Sequence, residues 1–481
     1  MRLFLSIQTL IIGITMLMSV QLSALQMDLR TYNFYGSKPY TEIYLRVDGH
    51  SVAWKDKAAS VEILMYILDE NERIVAYDKY VMSLTIDDKI TDLLQVKRYA
   101  LPVGNYTVRV EGKELNSNSG MLEIQQKMHV AKPEGTNQIS DIIPLEDIHA
   151  DSSASPLVKN GFYMEPLAYH FVDTSHAQMQ IYLECYSNEK VSGDLFLQYA
   201  VVESGMTQES PVILFSRVKK LQQLNTEPLL LTIPVHLVRS GTYQLTATII
   251  DRNKNVIGFQ KTPVTVFNPS ADIAYLENYN ESPENAFVTN IQPDEIDYVL
   301  KAMLPITNQN QTGTLKELIK SNKLKSQRQF IFQLWKSRSP QNPEKAFKLY
   351  MDVAKAVDKT YYSTVGYGFQ TDRGYIFLKY GKPTNVLTVD DELDAPPYEI
   401  WFYNNLPVTS QTNVRFLFYN PSLAHNDFQL LHSTCLGEKS NLRWEVELYK
   451  SVPKEKEGNS TDATTVGPNW NRNARKYFEE F

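Results

Sequence analysis

The stretch GYGFQTDRGYIFLKYGKP, residues 366–383, decides how the C-terminal half of the chain is read. Gly366, Gly368 and Gly374 loosen the backbone around Asp372, whose short carboxylate is suited to bonding nearby amides. Residues 375–380, YIFLKY, are aromatic and apolar, and their composition predicts a mostly buried strand. Gly381-Lys382-Pro383 ends it, because Pro383 has no N–H for a strand ladder. Downstream, residues 398–403 and 414–419 read as further strands. Leu442, Trp444, Val446 and Leu448 alternate with Arg443, Glu445 and Glu447, another strand pattern.

Upstream of this stretch the period is helical. Pro293-Asp294-Glu295 and Asn342-Pro343-Glu344 place Pro and acids at helix starts. Residues 314–321 form another short helix. Phe330 with Leu334, and Ile331 with Trp335, repeat at i,i+4. Ala346, Tyr350, Ala354, Val357 and Tyr361 mark a core-facing stripe. Residues 269–450 are therefore expected to form a helical lead-in and a small α+β domain, an antiparallel meander with helices on one side. Residues 451–481 read as a flexible tail with a short docked terminal helix.

The N-terminal half alternates in strand fashion. Residues 41–47, 61–68, 73–77 and 104–110 belong to a first module, and 179–186, 194–202, 211–217 and 229–234 to a second. Gly104-Asn105-Tyr106 and Gly241-Thr242-Tyr243 open similar alternating strands in the two. Short strands with frequent turns indicate two antiparallel β-sandwich (Ig-like) modules, 25–130 and 156–268, with 131–155 as a linker. The fold class is thus multidomain. Ahead of these modules, Arg2 followed by an apolar run and the small pair Ser23-Ala24 reads as a signal peptide, 1–24, cleaved after Ala24. No later stretch is apolar enough to span a membrane, so no transmembrane segment is expected after cleavage.

Of the 481 residues 43% are hydrophobic and 21% charged, ordinary values for a globular protein. The net charge of -7 argues against a nucleic-acid or anionic-membrane partner. The 29 tyrosines suit half-buried sheet faces and contact surfaces. Cys185 and Cys435 fall in different domains and read as isolated buried thiols, although an oxidising compartment permits a disulfide.

Gly368-Phe369-Gln370-Thr371-Asp372-Arg373-Gly374 resembles the signature of the GWxTD domain family of secreted bacterial proteins, Gly-Trp-x-Thr-Asp-Arg-Gly followed by Gly-x-Pro, here Gly381-Lys382-Pro383. Trp335, near the end of its helix, and Glu399-Ile400-Trp401-Phe402-Tyr403 resemble two further parts of the family pattern. The resemblance spans residues 271–450, with Phe369 standing where the family has Trp. It implies an exported envelope protein of a Gram-negative bacterium, periplasmic, outer-membrane-associated or on the cell surface, with β-sandwich modules ahead of the signature domain. It carries no assigned reaction.

Asp372 and Arg373 have two readings. They are an acid and an anion clamp of a hydrolase, with Glu399 as the second carboxylate, or a turn cap and a strap across the sheet. No His or Cys stands near them in sequence, so no catalytic residue is assigned, and the expected function is non-enzymatic: presentation of the signature domain to an envelope protein partner, or envelope structure. His170, Asp173 and His176 are too few for a metal site and are expected to be solvated. Residues 390–394, DDELD, lack calcium-loop spacing and are expected as an acidic solvated loop. No phosphate loop, G-x-S-x-G or H-E-x-x-H occurs, and no metal or cofactor is expected.

Overall fold

The computed structural model describes residues 25–36, 38–86, 90–117, 120–131, 137–187, 193–203, 212–278, 287–321, 323–362, 366–392, 394–450 and 472–480. The expected leader, 1–24, and most of the expected tail, 451–471, lie outside these. The chain divides into two compact units, Met1–Phe267 and Asn268–Phe481.

The first unit is built of β-sheet. Ile74–Thr85, Ala58–Asp69, Gly104–Glu114 and Leu122–Val130 form a four-stranded sheet in that spatial order, and Met27–Phe34, Tyr40–Val47 and Leu93–Tyr99 a three-stranded one. Ala58–Asp69 buries every second residue along most of its length, the period of a strand with one face on a core. Val61, Ile63 and Val108 from one sheet and Ile43 and Leu45 from the other share a single apolar cluster. A six-stranded and a five-stranded sheet enclose a second cluster around Leu183, Leu197, Ile233 and Leu245. Among the described residues pairing is antiparallel except for Phe171–Val172, which runs parallel to Val256–Val266.

The expected linker is largely sheet. Asn137–Ile139 pairs with Gln178–Ser187, and Ile143–Ala150 lies between that strand and Phe162–Pro166. The apolar run Ile142-Ile143-Pro144-Leu145 explains this: Ile142, Ile143 and Leu145 are buried, which a free linker cannot provide. Tyr32, Phe34, Tyr44 and Val96 of the first module join Ile143, Leu145, Met164 and Tyr182 of the second in one cluster. A hairpin closes the edge of that contact. Its turn is Asn160-Gly161, with φ of +52° and +80°, as a two-residue hairpin turn requires. Lys159, beside the turn, sits 2.9 Å from the centroid of Phe34. Its ammonium lies 3.2 Å from Glu184 and 3.7 Å from Glu42. Arg98 pairs with Glu42 at 2.8 Å, and the hydroxyls of Tyr182 and Tyr186 donate to Glu184. Two carboxylates and two cations therefore offset one another inside an aromatic wall. Burial still pulls the Lys159 ammonium below its ordinary pKa, against the pull of the two glutamates.

The second unit opens with helices α1 (Pro269–Asn278), α2 (Ile296–Met303), α3 (Gln309–Lys320), α4 (Leu324–Arg338) and α5 (Pro343–Thr360). Asn308 and Gln311 form a reciprocal capping box at the start of α3. The buried face of α5 is Phe347, Met351, Ala354 and Val357, with Ala346, Tyr350 and Tyr361 packed at its margin. An antiparallel meander follows: Asn385–Val389, Tyr398–Leu406, Gln411–Tyr419 and Gln429–Ser433.

Two expected strands are helices. Residues 375–380 belong to α6 (Asp372–Tyr380), not to the sheet. Thr371 is its N-cap, Asp372 its first residue, and Gly381, at φ +84°, its C-cap, so the start and stop signals outweigh the aromatic composition. Residues 444–448 form α7 (Trp444–Leu448), where Trp444 and Leu448 share one face at i,i+4. Nor are the helices on one side of the sheet. Ile376 on α6 packs with Trp401, Tyr403, Phe416 and Phe418 on one face. Trp444 and Leu448 on α7, with Ala474 and Phe478 on α8 (Ala474–Glu480), pack with Tyr398, Ile400, Phe402 and Leu417 on the other. Burial on both faces explains why Ile400-Trp401-Phe402-Tyr403 is unbroken by polar residues.

Candidate functional site

The signature lies at the start of α6. Thr371 Oγ1 accepts from the Gly374 amide at 3.2 Å and donates to the Gly368 carbonyl at 2.7 Å, fixing a short turn ahead of the helix. Gly374 and Gly368 are there for close approach. A Cβ on Gly374 would fall 2.7 Å from the Cα of Phe369, and one on Gly368 would fall 2.8 Å from the Cα of Asp358. The Gly368 amide donates to Asp358 on α5 at 2.5 Å. Phe369 is 1% exposed, stacked on Tyr367 and edge-on to Tyr298. Its neighbours here are rings, so the position needs a plane rather than an indole donor.

Asp372 and Arg373 diverge from that turn. Asp372 stays solvent-exposed, but its Oδ2 accepts from the Leu430 amide at 2.6 Å, tying α6 to the last strand of the meander. Arg373 is 5% exposed and turns inward. Its Nη1 donates to Glu399 Oε1 at 2.8 Å, and its Nη2 to the carbonyl and side-chain oxygens of Asn426, both at 3.2 Å. The guanidinium lies 4.1 Å from the centroid of Phe428 and 5.1 Å from that of Tyr361. The second oxygen of Glu399 accepts from Trp401 Nε1 at 3.0 Å. Arg373 thus has ring faces and acceptors around it, and Glu399, with a side chain 12% exposed, is committed at both oxygens. Arg373 Nε is buried with no hydrogen-bond partner among the described residues, and the guanidinium is closed in by the rings of Phe428 and Tyr361.

The other signature residues are dispersed. Gly381 ends α6, and its carbonyl accepts from the Tyr403 hydroxyl at 2.9 Å. Pro383 is buried just beyond it. Trp335 stands apart in the helical core against Phe347 and Tyr350. Tyr361, Asn426, Phe428 and Leu430 complete the constellation and were not legible in the sequence. Asn426 is 53 residues from Arg373, and only its positive φ of +62° marks it locally.

Two expectations of solvated loops are corrected. His170 is buried: its Nε2 lies 2.9 Å from the Tyr32 hydroxyl and its Nδ1 3.0 Å from the Pro263 carbonyl oxygen. Burial lowers its pKa to about 4. His176 bonds Asp173 and Glu146 instead, so the two histidines serve different partners. In the acidic loop, Glu392 accepts from the hydroxyls of Tyr398 and Tyr449 at 2.6 Å and from the Asn473 amide at 3.0 Å. Asp394 stands 3.6 Å from Arg472. These acids hold the α8 segment. Cys185 and Cys435 are buried free thiols, one in each unit.

Residues 292–446 match the model of the GWxTD domain. This chain carries a GWxTD domain. The matched span holds α2 to α6, the meander and most of α7, with the Arg373–Glu399 pair inside it. No protein of curated function is significantly similar in sequence to the chain. Among solved structures, red sea bream transglutaminase is similar to 50% of this chain over 31% of its own, at 10% identity and a TM-score of 0.17. A glycosyl hydrolase family 2 member from Bacteroides cellulosilyticus is similar to 47% of this chain over 26% of its own, with the same identity and TM-score. The chain therefore spans about a third of the length of these neighbours or less. No helix among the described residues is long and apolar enough to cross a membrane.

Proposed function

We propose that this is a non-enzymatic protein of the bacterial envelope, in which two Ig-like β modules present a GWxTD domain to a protein partner. The observation that supports it most is the closure of Arg373. A guanidinium held by Glu399 and Asn426 and covered by Phe428 and Tyr361 stabilises the junction of α6 and the meander and leaves no anion clamp. Asp372 is spent on the Leu430 amide. The signature is then a folding device, and recognition falls to the surface of the domain. Export follows from the leader reading, 1–24.

The test uses the full chain and its Asp372→Asn variant, each immobilised and exposed to an envelope extract. Asn keeps an acceptor for the Leu430 amide and removes the charge. The same stoichiometric partner on both supports the proposal. No retained partner, with breakdown of an envelope polymer by wild type and not by the variant, overturns it in favour of a hydrolase.

A further inference from the structure

The second unit has a groove away from the signature, formed at the start of the GWxTD domain and the residues just before it. The 3-10 turn Phe287–Asn290 and α2 form one wall and α5 the other, enclosing about 570 Å³. A second cavity of about 630 Å³ continues it and shares Phe287, Glu344, Lys348 and Asp352 with the first. The floor is apolar: Phe287, Ile291, Val299, Phe347 and Met351. Leu349, on the second cavity, is 59% exposed, large for an apolar side chain on a helix. The groove follows α5 from Pro343 to Lys355, roughly 18 Å at the rise of an α-helix. That is too long for one small molecule and right for a peptide segment.

Its charge is uneven along its length, with the acidic excess in the first cavity. The first cavity carries Asp294, Glu295, Glu344 and Asp352 against Lys348 and Lys355, an excess of two negative charges. Lys348 and Glu344 neutralise each other at 2.6 Å. Asp294 and Asp352 have no ion pair among the described residues, so in the first cavity three carboxylates face Lys355 alone, while in the second Lys345 and Lys348 balance Glu344 and Asp352. An apolar trough with an acidic rim recognises apolar anchors flanked by cations.

We propose that this groove is the docking site for a protein segment that presents one or two large apolar side chains with Lys or Arg beside them, in amphipathic-helix or extended form. This rests on the partner-binding reading above and names where and what the domain binds. Neither Asp372, Arg373 nor Glu399 lines the groove.

The probe is an 18-residue amphipathic peptide of Leu and Lys, fluorescently labelled, with a Leu/Glu peptide of the same pattern as its counterpart. Anisotropy is read on the full chain. The Leu/Lys peptide should bind at least ten-fold tighter than the Leu/Glu peptide. Asp294→Lys with Asp352→Lys, both exposed, should weaken it ten-fold or more, and Leu349→Ser several-fold. Charge reversal at Glu317 and Glu480, on other helices of the same unit, should leave it unchanged. Equal response to both pairs of reversals means general attraction to an acidic protein and overturns the groove. So does a rim-dependent dimer seen by sedimentation, which makes a second copy the occupant. A chain that retains its envelope partner at full yield despite the rim reversal overturns the groove while leaving the partner reading standing.

Discussion

Replacing Arg373 by Met keeps much of the side-chain volume and removes the guanidinium. The variant loses the ion pair to Glu399, two hydrogen bonds to Asn426 and the contacts over Phe428 and Tyr361. Glu399 is then left largely buried with Trp401 Nε1 as its remaining donor. Breaking a buried pair from one side costs about 3–5 kcal/mol, because the surviving charge has lost its compensation. The lost ring contacts add about 1 kcal/mol, not strictly additively. For a unit the size of Asn268–Phe481, about 4 kcal/mol lowers the melting temperature by roughly 10 °C. Trp335, Trp401, Trp444 and Trp470 belong to that unit and only Trp54 to the other, so tryptophan emission during heating of the full chain follows the right transition. Adding Glu399→Gln to Arg373→Met should recover part of the loss, since the stranded charge goes with it. A single variant that melts within 2 °C of wild type would refute the reasoning. So would a double variant that melts lower than the single one.

Gly374→Ala, which forces a Cβ against the Gly368 carbonyl and the Cα of Phe369, should destabilise the same transition by several degrees; a melting curve within 2 °C of wild type contradicts the close-approach argument. In the first unit, desolvation raises the Asp141 pKa to about 6 and lowers that of His170 to about 4. Asp141 adds stability below about pH 4 that is lost as pH rises through 6, and His170 adds stability above about pH 6.5 that is lost as pH falls through 4, each worth about 3 kcal/mol. The two nearly cancel, so urea midpoints should be flat between pH 4.5 and 7 for wild type, rise toward acid for His170→Gln and fall toward acid for Asp141→Asn. Exported protein should begin at Leu25, which intact-mass measurement decides; retention of residues 1–24 contradicts the cleavage.

Most strands of the first unit were legible because one face meets a core and the other is more exposed, which writes a period of two into the chain, although Tyr40–Val47, read the same way, is buried on both faces. Ala58–Asp69 and Gly241–Ile250 show it clearly. Helix α5 was legible for the same reason at its own period. Helix α6 was not. Tyr375-Ile376-Phe377-Leu378 is an unbroken run, and a run without a period does not distinguish strand from buried helix. The deciding marks were the small ones beside it, Thr371 as a cap and Gly381 as a stop. The strap itself was half legible. Arg373 and Glu399 were visible as candidates, but their meeting depends on how α6 crosses the meander. Leu430, 58 residues beyond Asp372, contributes only a backbone amide, which no side-chain pattern can announce.

Tandem β modules on a free linker swing like beads on a string, and the far bead samples a sphere whose radius grows with the linker. The clasp around Lys159 removes that hinge. With Glu42 and Phe34 from one module and Glu184 from the other gripping a single ammonium, the chain from Met27 to Val266 works as a lever instead of a tether. Turning one end turns the other.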